Sequence, residues 1–304
     1  MSDTRKYPNF FIVGAPRCGT TSMYEYLREH PQIFMPNVKE PHYFGKDLTR
    51  IGNAYKWTES EYLNLFKEVK NEIAIGEASP HYLFSELSAE EIYRFNPDSK
   101  IIIMLRNPVD MIYSLHSRYV FSGNEIEIDF EKALYIEDNR IVGKRISHNI
   151  DLAEKLLYKS YVKRLPLNII KYINIFGENN VKIIIFEDFK NNVKLQYLET
   201  LQFLGADNSF VPNFDIKNMN KIPKNFRIRN SIRIFGQKME SIRKLRLPKP
   251  FGIIRYLNSI NTKFTSRKQM NSDLRKRLTG EFEPIVKELE ILLKRDLSEW
   301  REAS

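Results

Sequence analysis

The strongest constraint on the fold lies in residues 10–27, FFIVGAPRCGTTSMYEYL. An apolar run ends at Gly14, a short loop follows, and a helical pattern begins after Gly19. The spacing of these two glycines is that of a phosphate-binding loop between a strand and a helix. Such a loop directs backbone N–H groups and a helix N-terminus toward an anion. We therefore expect an α/β protein with a phosphate-binding site near its N-terminus.

The loop departs from the pattern of nucleotide triphosphatases at one position. Thr20 stands where those proteins have a lysine that reaches the terminal phosphates of the nucleotide. Arg17 supplies a cation inside the loop instead, and Thr20, Thr21 and Ser22 supply hydroxyl groups at the helix start. ATP hydrolysis is therefore an unfavourable interpretation, although the loop still predicts phosphate binding. The alternative is a helix that follows a strand and binds nothing.

Further strand and helix patterns alternate along the chain. Short apolar runs predict buried parallel strands, and apolar positions recurring every three or four residues predict helices. We predict strands at 9–13, up to Gly76, at 101–105 and at 181–186, and helices at 20–29, after Asn107-Pro108, at 149–176 and before Gly205. This alternation predicts a P-loop-type α/β fold of three layers, in which helices flank a central parallel sheet. No Gly- or Ser-rich linker interrupts it, so we predict a single domain over residues 1–304.

Charge and cysteine content limit the partners and the compartment. The net charge of +10 favours an anionic partner. Residues 217–255 form a basic, loop-rich region that could cover the donor or the acceptor, and residues 266–304 form a helical C-terminal segment. The single cysteine, Cys18, allows no internal disulfide and suits a reducing compartment. We find no signal-peptide core and no apolar run near the ~20 residues of a transmembrane helix, so we expect a cytoplasmic protein.

The segment IVGAPRCGTTSMYEYLREHPQI resembles the 5′-phosphosulfate-binding loop of sulfotransferases that use 3′-phosphoadenosine 5′-phosphosulfate (PAPS). It is similar to the loops of bacterial sulfotransferases and of the related heparan sulfate sulfotransferases. The resemblance implies that Arg17 holds the bridging oxygen and the sulfonate, where it offsets charge as the S–O bond breaks. The other donor-binding residues that it implies in this loop are Cys18, Gly19, Thr20, Thr21 and Ser22. The implied product is 3′-phosphoadenosine 5′-phosphate (PAP).

A second motif, IIIMLRNPVDMIYSLHSRY, resembles the segment of the same family that binds the 3′-phosphate. Arg106 follows the predicted strand, and Ser114 lies within about two turns of the start of the next helix. An arginine can donate two parallel hydrogen bonds to a phosphate, and a serine hydroxyl can complete the site. Both motifs follow strand ends, where open α/β sheets bind ligands. The alternative is that Arg106 is a surface ion-pair residue.

The segment KEPHYF resembles the part of the heparan sulfate branch whose glutamate acts as general base. The resemblance implies this role for Glu40, because an attacking hydroxyl or amine must lose its proton. His42 is the alternative base, or it positions the acceptor. The segment GEASPHYLF has Ala78 where the heparan sulfate branch has a lysine, and this difference argues against an active site of polysaccharide type. Glu77 and His81 remain as candidate acceptor contacts.

The resemblance implies metal-independent, in-line transfer of a sulfuryl group from PAPS to a hydroxyl or amine of a saccharide, a lipid or a small metabolite. PAPS and PAP are the expected partners, and residues 217–229 are the candidate cover of the adenosine. No metal requirement and no nucleic-acid partner are expected, whereas peripheral membrane contact and the oligomeric state stay open. Tyr161, Glu187 and Asp188 also match the family, but more weakly. For these three residues we favour roles in helix packing and capping.

Two other function classes compete with this interpretation. A P-loop kinase or other nucleotide-binding protein is disfavoured by Thr20 in the place of lysine. The hypothesis of a basic protein that binds nucleic acid or a membrane surface is supported by the net charge and by residues 217–255. These residues contain no recognised binding motif, however.

Overall fold

The computed structural model describes residues 7–48, 57–146, 153–214 and 268–302, together with residues 221–224, 228, 231–232, 257 and 260–264. Its centre is a five-stranded sheet in the order β2-β3-β1-β4-β5, in which every neighbouring pair is parallel. The strands are β1 (Phe10–Gly14), β2 (Ile33–Phe34), β3 (Ala74–Ala78), β4 (Lys100–Leu105) and β5 (Val181–Ile185). The sheet and its flanking helices confirm the predicted α/β fold class.

The helices connect the strands and cover the sheet. They are α1 (Thr20–Arg28), α2 (Glu59–Leu63), α3 (Ser88–Phe95), α4 (Pro108–Ser122), α5 (Phe130–Tyr135), α6 (Glu137–Ile141), α7 (Tyr158–Lys163), α8 (Leu165–Phe176), α9 (Phe186–Asn191), α10 (Val193–Leu204) and α11 (Ser272–Leu293). Short 3₁₀ turns lie at Asn64–Phe66, Tyr82–Phe84, Ala153–Leu156, Glu178–Asn180 and Ser298–Arg301. A separate antiparallel pair joins β6 (Lys221–Pro223) to β7 (Thr262–Phe264).

The central strands show no alternation of buried and exposed residues, because both of their faces are covered. All five residues of β1 are buried, as are all five of β3. β1 lies between β3 and β4, and the loops that follow these three strands therefore meet at one edge of the sheet. This edge is formed by the carboxyl ends of the strands, where parallel α/β sheets bind their ligands.

Three predicted elements differ from the structure. The helix predicted at 149–176 is interrupted between α7 and α8. Pro166 lacks a backbone N–H and cannot continue α7, but it is accepted in the first turn of a new helix, α8. β3 continues past Gly76 to Ala78, and β5 ends at Ile185 because Phe186 already belongs to α9. Most of the basic region at 217–255 lies outside the described residues.

The C-terminal helix α11 packs against α4, α7 and α8. Its buried face includes Leu278, Phe282, Val286 and Leu289, and Trp300 is buried just beyond it. These side chains join the same buried cluster as the residues of β1. Within the residues that the structure describes, no helix combines the length and the hydropathy that a membrane span requires.

Candidate functional site

The loop between β1 and α1 leaves the N-terminus of α1 open. Gly19 precedes this helix with φ 90°, in the left-handed region, and no described side chain forms a capping hydrogen bond there. A Cβ atom at this position would lie 3.1 Å from the Phe186 ring and 3.2 Å from the methyl group of Met104. Glycine is therefore needed both for the backbone angle and for the close packing. No side chain among the described residues accepts a hydrogen bond from the first N–H groups of α1, so these groups can bind an anion.

Arg17 connects the loop to the second motif. Its φ is 69°, and its Nε donates a 3.0 Å hydrogen bond to Oγ of Ser114 on α4. Ser114 itself is 1% exposed. The two sequence motifs, far apart along the chain, thus share one cluster of polar groups at the carboxyl edge of the sheet.

Arg106 lies in the same cluster with unused hydrogen-bonding capacity. Its Nη1 donates to the carbonyl of Arg17 at 3.5 Å, and its guanidinium carbon lies 4.6 Å from the ring centroid of Phe186. Its buried Nε has no hydrogen-bond acceptor among the described residues. A buried donor without a partner is costly, so this position fits an anion that would accept from it.

The start of α4 fixes the position of Arg106. The side chain of Asn107 accepts hydrogen bonds from the N–H groups of Val109 at 3.0 Å and Asp110 at 3.3 Å, and Pro108 is the first helical residue. The N–H of Asn107 donates to Glu187 Oε1 at 3.2 Å. Glu187 thus holds the turn between β4 and α4, and burial raises the pKa of its carboxyl group.

The remaining loop residues differ in what they can offer an anion. The thiol of Cys18 is fully buried and contacts the Pro16 carbonyl at 3.6 Å. Burial raises the pKa of this thiol to about 12, although the charge of Arg106 opposes the rise. Its side chain therefore belongs to the core rather than to a binding surface. Thr20 is also buried, whereas Thr21 and Ser22 are partly exposed in the first turn of α1.

A second loop, residues 40–44, is fastened to the end of β3. The N–H of Glu40 donates to the Ala78 carbonyl at 3.1 Å, and the N–H of His42 donates to Oγ of Ser79 at 3.3 Å. Glu40 and His42 both have positive φ, 60° and 51°. Because β3 neighbours β1, this loop and the phosphate loop lie at the same edge of the sheet.

The charge of Glu40 is controlled by its neighbours. Lys39 Nζ donates to Oε1 at 2.6 Å, and His42 Nε2 lies 3.6 Å from Oε2. Burial raises the pKa of Glu40, but the interaction with the nearby His42 and the charge of Lys39 outweigh it, so the pKa lies well below its usual range. The side chain is 40% exposed. Glu40 is thus an ionised carboxylate that is accessible to a second molecule.

Glu77 and His81 are occupied by contacts within the protein. Glu77 is fully buried; its Oε1 accepts from Ser79 Oγ at 2.6 Å and its Oε2 accepts from the hydroxyl of Tyr62. Burial raises the pKa of Glu77. Glu77 therefore supports the loop of residues 40–44 through Ser79 and is not exposed to an acceptor.

His81 is buried between two tyrosines and faces His42. Its Nδ1 lies 2.9 Å from the hydroxyl of Tyr161, and its Nε2 lies 3.4 Å from the hydroxyl of Tyr119. The rings of His42 and His81 are 5.9 Å apart. The partners of His81 come from distant helices, and nothing in the sequence pattern pointed to Tyr119.

The sequence matches the family model described as "Sulfotransferase domain" over residues 7–246. The crystal structure of a sulfotransferase from Alicyclobacillus acidocaldarius is similar over 98% of this chain and 100% of that chain, with 30% identity and a TM-score of 0.73.

Curated relatives match a smaller part of the chain. Carbohydrate sulfotransferase 15 of Mus musculus is 28% identical over 248 residues, which are 66% of this chain and 44% of that protein. Heparan sulfate glucosamine 3-O-sulfotransferase 6 of Mus musculus is 30% identical over 105 residues, which are 34% of this chain and 28% of that protein. The matches therefore span less than half the length of these relatives.

Proposed function

Because the chain belongs to the sulfotransferase family, we propose that it transfers a sulfuryl group from PAPS to a hydroxyl or amine of an acceptor, with PAP as the product. The observation that supports this most is the cluster of Arg17, Arg106 and Ser114 beside the open N-terminus of α1. Two cations, a hydroxyl and unsatisfied N–H groups are the donors that a doubly phosphorylated nucleotide requires.

The donor-side residues have distinct roles in this proposal. Arg17 and the N–H groups of residues 19–22 hold the 5′-phosphosulfate, whereas the N–H of Cys18 donates to the Ala15 carbonyl at 3.4 Å. The Arg17 guanidinium stabilises the negative charge that develops on the leaving phosphate. Arg106 and Ser114 hold the 3′-phosphate. When bound, PAPS supplies a sulfuryl group on a good leaving group. Protein cations and N–H groups provide the anion binding, so we propose that no metal ion is required.

Glu40 is the proposed general base. It is ionised because of His42 and Lys39, and it can accept a proton from the attacking hydroxyl or amine. Its low pKa makes it a weaker base but keeps it ionised and able to accept a proton across a wide pH range. His42 positions the acceptor in the main proposal and is the alternative base.

The acceptor is proposed from two observations. The names of the curated relatives specify carbohydrate and heparan sulfate glucosamine as their substrates. A saccharide hydroxyl or amine is therefore the first acceptor class to test. Ala78 stands where the resemblance to heparan sulfate enzymes implies a lysine, so lipids and small metabolites should be tested beside saccharides.

Titration of PAP by isothermal calorimetry in EDTA tests the donor site. Arg106→Ala should weaken binding by about 1.5–3 kcal/mol, because a charged hydrogen bond to the phosphate is lost, and Ser114→Ala should weaken it by about 1 kcal/mol. Arg94→Ala is the matched control, since Arg94 forms an exposed pair with Glu90 on α3. Thermal unfolding should show that all variants are folded.

Two results would contradict the proposal. One is unchanged PAP affinity in both Arg106→Ala and Ser114→Ala. The other is binding that needs Mg²⁺ and prefers ATP over PAP, which would favour a P-loop kinase or another nucleotide-binding protein. Mass spectrometry of saccharides, lipids and small metabolites incubated with PAPS then identifies the acceptor class.

A further inference from the structure

The C-terminal segment, residues 268–302, supports the part of the chain that carries Arg106. The hydroxyl of Tyr113 donates to the Lys268 carbonyl at 2.9 Å, and the side-chain amide of Asn107 donates to the Trp300 carbonyl at 3.4 Å. This segment lies beyond residues 7–246, which the family model matches. Residues outside the matched region therefore accept hydrogen bonds from the N-cap and the first turns of α4 and help to hold this helix in place.

A third contact of this segment involves charge. Arg275 Nη2 on α11 donates to Oδ1 of Asp110, while Oδ2 of Asp110 lies 3.9 Å from Nη2 of Arg106. Both arginine side chains are 19% exposed and Asp110 is 31% exposed. Asp110 thus lies between two arginines, in close contact with Arg275 and at a longer distance from Arg106. No other cation among the described residues forms an ion pair with it.

A carboxylate beside Arg106 competes with an anionic ligand. Asp110 and a phosphate would both accept hydrogen bonds from the same guanidinium, and an Asp110 that closed on Arg106 would occupy its donors. Asp110 also adds negative charge near the place where the phosphate would bind. The contact with Arg275 opposes both effects, because it neutralises Asp110 and holds it away from Arg106.

We propose that Arg275 is a positioning residue of the donor site, which keeps Arg106 available to an anionic ligand by binding Asp110. The proposal rests on the proposed function, in which Arg106 holds the 3′-phosphate of PAPS and PAP. It assigns a binding role to α11, which the sequence motifs do not include. Arg275 acts here through Asp110 and not by touching the nucleotide.

A double-mutant cycle with PAP as the probe tests this role in the full-length chain. Arg275→Ala should raise the dissociation constant by about three- to tenfold, because Asp110 is then free to pair with Arg106. Asp110→Ala should bind PAP at least as tightly as the wild type. The double variant Arg275→Ala/Asp110→Ala should regain that affinity, since no carboxylate remains to compete.

Arg277→Ala is the matched control, because Arg277 lies on the same helix and pairs with the exposed Glu131. It should leave PAP affinity unchanged. If thermal unfolding shows that Arg275→Ala is not folded, Arg275→Gln replaces it in the cycle, since glutamine keeps much of the length and removes the charge.

The outcomes separate the alternatives. A double variant that binds as weakly as Arg275→Ala overturns the proposal, because Arg275 would then contact the nucleotide or only hold the fold. Unchanged affinity in folded Arg275→Ala overturns it as well. If neither Arg106→Ala nor Ser114→Ala, measured in parallel, weakens PAP binding, the proposed donor site fails too. Weaker binding in Arg106→Ala with no effect of Arg275 contradicts the positioning role alone.

Discussion

Glu40 is the residue on which the proposed chemistry depends most. Its pKa lies well below the usual range, because the interaction with His42 and the charge of Lys39 outweigh the effect of burial. If Glu40 is the base, the protonated form is inactive, so activity should fall only as the pH drops through this lowered pKa. Glu40→Gln should reduce turnover by about 10²–10⁴-fold and abolish the acidic limb of the rate profile, while PAP affinity stays normal.

Two further variants check this assignment through the pH dependence of kcat. Lys39→Met removes a charge that lowers the pKa of Glu40, so the acidic limb should move to higher pH. His42→Asn should mainly raise the acceptor KM if His42 positions the acceptor. An inactive His42→Asn together with an active Glu40→Gln would make His42 the base and leave the donor site unaffected.

The loop of residues 40–44 has no regular secondary structure. Hydrogen bonds from its backbone N–H groups to side-chain hydroxyls hold it in place. The hydroxyl of Ser79 donates a hydrogen bond to the carboxyl group of Glu77, so a lone pair of Ser79 Oγ is left to accept from the N–H of His42. The N–H of Phe44 likewise donates to the hydroxyl of Tyr82 at 3.1 Å. The positive φ values of Glu40 and His42 need such support, because L-residues rarely adopt them.

Ser79→Ala should therefore loosen this loop without removing a proposed catalytic group. We expect faster amide hydrogen exchange in residues 40–44 and roughly a tenfold lower kcat/KM for the acceptor, about 1.4 kcal/mol. PAP affinity should not change. Ser99→Ala is the matched control, since Ser99 is fully buried, its hydroxyl donates to the Asn96 carbonyl at 2.7 Å, and it precedes β4 at the opposite edge of the sheet. Equal exchange in both variants would show that Ser79 does not hold the loop.

Elements with local signals could be predicted from the sequence. The unit of β1, its loop and α1 depends on residues close together in the chain, and so does the unit of β4 and α4 with its Asn107 cap. Contacts between distant residues could not be predicted in this way. Arg17 and Ser114 are 97 positions apart, and Asp110 and Arg275 are 165 positions apart. Nothing in the apolar pattern indicates which polar residues a parallel sheet brings together.

Burial also decides what single residues can contact. Glu77 follows the predicted strand end and was a candidate acceptor contact, but β3 continues to Ala78 and buries it against Tyr62. Two additional strand residues are enough to exclude a side chain from the surface here, because both faces of β3 are covered. Strand ends are the least certain part of a sequence-based prediction, and here they decide which groups meet a ligand.

At the scale of the whole molecule, α11 joins the C-terminal part of the chain to the sheet domain. Its buried side chains share one cluster with the central strands. We therefore propose one domain that includes α11, rather than a domain that ends at residue 246 with the family match. The proposed role of Arg275 requires this, because the contact with Asp110 exists only while α11 stays in place.

Substitution of Phe282 tests whether α11 is part of the core. Phe282 is 1% exposed in the middle of α11, and its truncation should leave a cavity between this helix and the rest of the fold. Phe282→Ala should lower the free energy of unfolding by about 3–5 kcal/mol in urea titrations. Ile291→Ala on the same helix is the control, since Ile291 is 79% exposed and its loss should change stability by at most about 0.5 kcal/mol.

Urea unfolding and PAP binding, measured on the same variants, connect the stability of α11 to ligand binding. If α11 and the sheet unfold as one unit, Phe282→Ala should give a single urea transition at a lower midpoint, and PAP should still raise that midpoint because it binds only the folded state. A separate early transition of α11 would instead leave the sheet folded and the Asp110 carboxylate without Arg275. PAP affinity measured between the two transitions should then match that of Arg275→Ala. Equal stability of the Phe282 and Ile291 variants would contradict the packing of α11 on the core.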